Sequence, residues 1–121
     1  GDDDLDAGDY SMLIKGGSYA TLVVSTNDVY IFVEPGTSFS GLITLSGANI
    51  RLVFGAGCTL SGILISGTDC YVNGGGWGTL SHGAAAVNGI KITGTFAIVE
   101  NISVETDGQE ANGDGVLIDT T

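Results

Sequence analysis

The chain has 121 residues, 43% of them apolar, and a formal net charge of −11, set by fourteen acidic side chains against Lys15, Arg51 and Lys91. One modest core fits that length, the positive mean hydropathy argues against disorder, and so acidic a balance disfavours binding to nucleic-acid phosphates. Apolar runs rarely exceed five residues, too short for a membrane-spanning helix, and 21 Gly against the single Pro35 point to many short strands joined by tight turns.

Residues 1–9 form an acidic lead-in, Gly1-Asp-Asp-Asp-Leu-Asp-Ala-Gly-Asp9. Asp2, Asp4 and Asp6 alternate as hard oxygen ligands for Ca²⁺ do, yet the run lacks the glycine and the glutamate of a calcium loop, so it reads as solvated and no cofactor is expected. No basic segment followed by an apolar one marks a signal peptide. The acidity suits saline surroundings, where counterions screen self-repulsion, and simple solubility accounts for it equally.

From residue 10 to residue 121 one pattern recurs. Leu22-Val-Val-Ser25, Ile43-Thr-Leu-Ser46, Ile63-Leu-Ile-Ser66, Ile90-Lys-Ile-Thr93 and Val116-Leu-Ile-Asp119 follow one another at spacings of 21, 20, 27 and 26 residues, the period of a stacked repeat. A second column holds Tyr10-Ser-Met-Leu-Ile14, Val29-Tyr-Ile-Phe-Val33, Ile50-Arg-Leu-Val-Phe54, Cys70-Tyr-Val-Asn73 and Ala97-Ile-Val-Glu100. A third runs through Ser18-Tyr-Ala20, Ser38-Phe-Ser40, Thr59-Leu-Ser61, Thr79-Leu-Ser81 and Ile102-Ser-Val104. A β-sandwich would need hairpin signals and leaves the identical turn chemistry at identical phase unexplained. The expected fold is all-β: a right-handed, single-stranded parallel β-helix of about five coils with three short strands each.

Alternation along each strand assigns the core. Leu22, Val24, Ile43, Leu45, Ile63, Ile65, Ile90, Ile92, Val116 and Ile118 face inward from the first column. Ile31, Val33, Ile50, Leu52, Phe54, Val72 and Val99 do so from the second, and Phe39, Leu60 and Leu80 from the third. After the first strand come Ser25-Thr-Asn-Asp28, Ser46-Gly-Ala-Asn49, Ser66-Gly-Thr-Asp69 and Thr93-Gly-Thr-Phe96, where Asn, Asp and Gly suit a left-handed residue and can bond up the stack. Cys58 and Cys70 fall in different columns and read as two small buried thiols.

The repeats resemble the right-handed parallel β-helix of the pectate-lyase-like superfamily, which includes pectin-degrading enzymes, alginate epimerases and the trimeric tailspikes of bacterial viruses. The resemblance spans Tyr10 to Thr121 and implies fold far more than activity. Two surfaces are candidates on the residues themselves. Gly83-Ala-Ala-Ala-Val-Asn-Gly89 and Asp107-Gly-Gln-Glu-Ala-Asn-Gly-Asp-Gly115 each add about six residues at one corner, and per-repeat insertions become loops on one face. A groove there would be bordered by His82, Asn88, Lys91, Glu110, Asn112, Asp114 and Asp119, able to bind a surface polysaccharide; plain solvated loops are the alternative.

The second surface is the outward side of the second strand, with Leu13, Tyr30, Phe32, Val53, Tyr71 and Ile98, too apolar for a free face. Burial in a homo-oligomer, by resemblance a trimer, or beneath further coils of the same protein would account for it. The stop at Thr121 within a coil suggests a segment of something longer.

Locally, Asn101-Ile-Ser-Val-Glu-Thr-Asp107 and Asn112-Gly-Asp-Gly-Val-Leu-Ile118 resemble a polygalacturonase segment, which implies Asp114 as a catalytic carboxylate and Asn112 as its supporting amide. That mechanism needs two carboxyl groups spaced for a water. The family's paired aspartates would lie beyond Thr121, Ser81-His82-Gly83 stands in the wrong chain order for its Gly-His-Gly, and Ile90-Lys91-Ile92 offers one cation where the family has two. The expectation is therefore a structural and recognition module of a virion appendage or cell-surface protein, extracellular or on a virion. A fragment of a polysaccharide hydrolase or lyase, and an adhesin or filament subunit, are the alternatives.

Overall fold

The computed structural model describes residues 12–82, 89–106 and 116–118, with side-chain surroundings for 12–75, 89–102 and 118. Among the described residues thirteen strands follow one another: β1 (Met12–Ile14), β2 (Ser18–Tyr19), β3 (Leu22–Val24), β4 (Val29–Val33), β5 (Ser38–Phe39), β6 (Ile43–Leu45) and β7 (Ile50–Phe54) come first. Then come β8 (Thr59–Leu60), β9 (Ile63–Ile65), β10 (Tyr71–His82), β11 (Ile90–Ile92), β12 (Ile98–Thr106) and β13 (Val116–Ile118). Among the described residues there is no helix.

Every strand pairing is parallel and joins a strand to its equivalent one repeat away. One sheet runs β13-β11-β9-β6-β3, aligning Leu22, Ile43, Ile63, Ile90 and Val116. The other collects the remaining strands in the order β1-β4-β7-β10-β8-β5-β2, with β12 also on β10. In it Met12, Ile31, Leu52, Val72 and Val99 share one line, and Ser18, Ser38, Thr59, Thr79 and Ser103 another. The spacing expected from the apolar columns is thus the spacing of the backbone ladder.

Two strands depart from three short segments per repeat. In β10 the second and third columns fuse through Gly74-Gly75-Gly76, and in β12 the corner shrinks to Asn101. Asn73 pairs with Glu100 and Gly78 with Ile102, so the ladder shifts register around that single residue. Asn101 makes the bend with φ 59°, and a Cβ on Gly74 would meet Asn101 O at 2.4 Å, which makes glycine the fitting residue beneath it.

Alternation decides burial as expected. Ile31, Val33, Ile43, Leu45, Ile50, Leu52, Leu60, Ile63, Ile65 and Val72 are fully buried. Phe39 fills the third column between Tyr19, stacked at 5.5 Å, and Phe54, edge-on at 6.3 Å. Each buried side chain of this size contributes about 1.5–3 kcal/mol. At the stack's end the pattern weakens: Ile118, expected inward, is 67% exposed, and Val99 is half-buried. β13 ends its sheet, so among the described residues no further strand covers Ile118.

The turn after the first column is stricter than its composition suggests. Asp28, Asn49, Asp69 and Phe96 all take φ between 56 and 60°. Asn49 Nδ2 donates to Asp28 Oδ1 at 2.8 Å, and the Asn27 carboxamide oxygen accepts from Ala48 N at 2.9 Å, so polar side chains tie successive turns together. Gly47, Gly67 and Gly94 stack beside them. A Cβ on Gly67 would lie 1.8 Å from Gly47 O, and one on Gly94 would lie 1.8 Å from Gly67 O.

Gly67→Ala should therefore cost on the order of 3 kcal/mol or more in urea unfolding, because backbone must move to admit a methyl group. Gly36→Ala, at φ 76° with nothing within 4 Å of the added carbon, should cost only the left-handed strain of about 1–2 kcal/mol. Phe96 breaks the turn's chemistry, being a bulky left-handed residue 81% exposed. Phe96→Asn should raise stability by about 1 kcal/mol in the same measurement; an unchanged or lower midpoint would contradict the strain.

Candidate functional site

Of the residues expected around the looped groove, Asn88, Glu110, Asn112, Asp114 and Asp119 lie outside the described residues, as do Asp2, Asp4 and Asp6. His82 ends β10 with its side chain outside them. Lys91 is at the centre of β11, half-buried and in register with Leu64 on one side and Leu117 on the other. The outward line of that sheet, where side chains are described, is Val23, Thr44, Leu64 and Lys91, so one cation stands in a partly apolar row.

The opposite sheet carries more chemistry. Its register builds two outward rows across β1, β4, β7, β10 and β12. One reads Leu13, Phe32, Val53, Asn73, Glu100; the other reads Tyr30, Arg51, Tyr71, Ile98. Five of the six expected contact residues, Leu13, Tyr30, Phe32, Val53 and Tyr71, thus form a continuous grid, with Ile98 at its far edge. Leu13 and Ile98 are 51% and 57% exposed, and the others are half-buried. The row that starts at Leu13 changes character along the stack, apolar over β1, β4 and β7 and polar over β10 and β12.

At the polar end the groups are joined. Tyr71 donates its phenol hydrogen to Glu100 Oε2 and accepts from Asn73 Nδ2 at 2.9 Å. Asn73 Oδ1 accepts from Gly75 N at 2.9 Å and from Asn101 Nδ2 at 3.2 Å. Donation to the Glu100 carboxylate raises the Tyr71 pKa, since losing the proton would set two anions face to face; partial burial adds to the effect, and the Asn73 amide opposes it. Nearby, Arg51 donates to Asp69 O at 2.7 Å and approaches its carboxylate at 3.7 Å, an exposed pair of small energetic weight.

This network was not singled out from sequence, although Tyr71 was read as an outward residue. The signal was register: Asn73 and Glu100 stand 27 residues apart, the interval of Ile63 and Ile90, which places them side by side. What register alone lacked was Asn101, which reaches Asn73 only because its corner is shortened.

Other features offer less. A cavity of about 380 Å³ is lined by Ile90, Ile92, Ala97, Val99, Ile102 and Ile118, with Glu100 and Asn101 at its polar side. Its walls are largely inward positions of the last strands, so it continues the apolar core column. Cys58 and Cys70 are free and buried, and burial raises both thiol pKa values, which keeps them protonated and poor nucleophiles. Among the described residues no group of three or more His, Cys, Asp or Glu could hold a metal ion.

No family model, curated protein or solved structure matches the chain.

The Tyr71 arrangement gives a pH prediction. The folded pKa is raised, so the stabilisation from the phenol is fully present below the ordinary tyrosine value of about 10 and is lost as pH rises through the raised one. A ¹³C titration of the tyrosine rings should show Tyr71 ionising above that value, and Glu100→Gln should bring it down. A Tyr71 midpoint indifferent to Glu100→Gln would contradict the hydrogen bond.

Proposed function

We propose that the chain is a right-handed, single-stranded parallel β-helix of the pectate-lyase-like kind, acting as a structural and recognition module of a virion spike, fibre or capsid appendage or of a cell-surface protein. All-parallel pairing at one repeat's separation supports the fold, and right-handedness follows from the usual chirality of parallel crossovers. The module works outside the cell or on a virion and assembles through the outward face of β1, β4 and β7, with threefold symmetry as the arrangement that a rod of this kind favours.

The observation that carries this reading is the row Leu13, Phe32, Val53, which lies in direct register on three adjacent strands with its first member half in solvent. Strands about 4.8 Å apart make such a row a continuous apolar strip, and strips of this kind mark interfaces. A closed symmetric assembly would bury the strip of every copy at once.

Sedimentation equilibrium tests it. The native chain should run at three times its mass, and a Leu13→Asp, Val53→Asp double variant, with Phe32 left in place, should run as a monomer with an unchanged circular dichroism spectrum. A monomeric native chain, or a double variant that keeps the native mass, would overturn the assembly.

A further inference from the structure

The polar end of the same face is built differently from the apolar end. Tyr71, Asn73, Glu100 and Asn101 hold one another through consecutive hydrogen bonds, so their positions are set before any ligand arrives. Together they present carboxylate and phenol oxygens, two amide groups and the ring of a half-buried tyrosine on a sheet surface. Tyr30 occupies the same row two strands away, with Arg51 between them.

From this geometry we propose that the surface of β10 and β12 around Tyr71 binds a neutral glycan chain. The proposal rests on reading the protein as a surface recognition module, and it assigns that recognition to this face instead of the looped one.

Three observations select the ligand class. A sugar hydroxyl both donates and accepts, and here donors and acceptors alternate within one connected group: the Glu100 carboxylate only accepts, the Asn101 amide does both, and the Tyr71 oxygen does both. Tyrosine joins an apolar ring face to a polar tip, which suits the apolar and hydroxylated faces of a pyranose. The net charge of −11 and the exposed Glu100 disfavour uronates, sulfated glycans and phosphates, leaving a neutral chain.

A printed array of neutral, uronate-bearing and sulfated oligosaccharides tests this on the full chain. Neutral members should be retained and acidic ones not, and Tyr71→Phe and Glu100→Gln should each weaken the retained signal at least tenfold while thermal unfolding confirms that both variants fold. The Leu13→Asp, Val53→Asp variant should keep binding, so loss of assembly and loss of glycan binding are read separately. Retention of no neutral member, preference for acidic ones, or binding that survives Glu100→Gln but disappears in Lys91→Ala would overturn the assignment.

Discussion

In-register parallel pairing is the constraint on which everything else here depends. Each strand takes as its neighbour the equivalent strand of the next repeat, so a residue's facing is inherited by the residue one repeat later. An inward position must be apolar every time, which gives the unbroken lines Ile43, Ile63, Ile90 and Ile31, Leu52, Val72. The same rule governs the turns. Backbone there approaches so closely that Gly47, Gly67 and Gly94 leave no room for a methyl group, and the neighbouring position turns left-handed in four successive repeats. A slip of one residue in any strand would invert its faces and bring side chains into those glycine contacts.

The outward faces are where the rule relaxes, because solvent tolerates variety that a core does not. There the register still aligns residues, but their chemistry can drift along the stack. On the larger sheet it drifts from Leu13, Phe32 and Val53 to Asn73 and Glu100 within one row. The division gives one surface two capacities, an apolar strip suited to another protein surface and a bonded polar group suited to hydroxyls. The shortened corner at Asn101 sharpens it, since the left-handed bend carries its amide to Asn73.

The parallel stack was legible because periodicity and alternation are both recorded in residue type. Spacings of 21 and 20 between Leu22, Ile43 and Ile63 are the register itself, and the left-handed turn could be read from Asp28, Asn49 and Asp69. Phe96 in that conformation was not legible, because its side chain argues against it and only the repeat phase argues for it. The fusion of two columns in β10 was hidden too: Gly74-Gly75-Gly76 signals a turn, but one strand runs through it, with a shift of register between Asn73 and Gly78. The polar network needed both register and the corner's lost residues, and a single sequence shows the second only as an irregular interval. The residues expected from the polygalacturonase-like segment, Asn112 and Asp114, lie outside the described part, so the activity it would imply gains no support from geometry.

The distribution of charge bears on whether such a face can meet another copy. A net charge of −11 opposes association if it is spread evenly, but five of its aspartates precede Tyr10, and Asp107, Glu110, Asp114 and Asp119 cluster near the other end of the chain. The two outward rows from β1 to β12 carry only Arg51 and Glu100, whose charges cancel. At physiological ionic strength, exposed charges more than about 8 Å apart are largely screened. Local neutrality lets apolar contact decide over the first three strands. Over the last two it leaves a carboxylate, a phenol and two amides whose hydrogen-bonding capacity a hydroxylated, uncharged ligand can use without bringing like charges together.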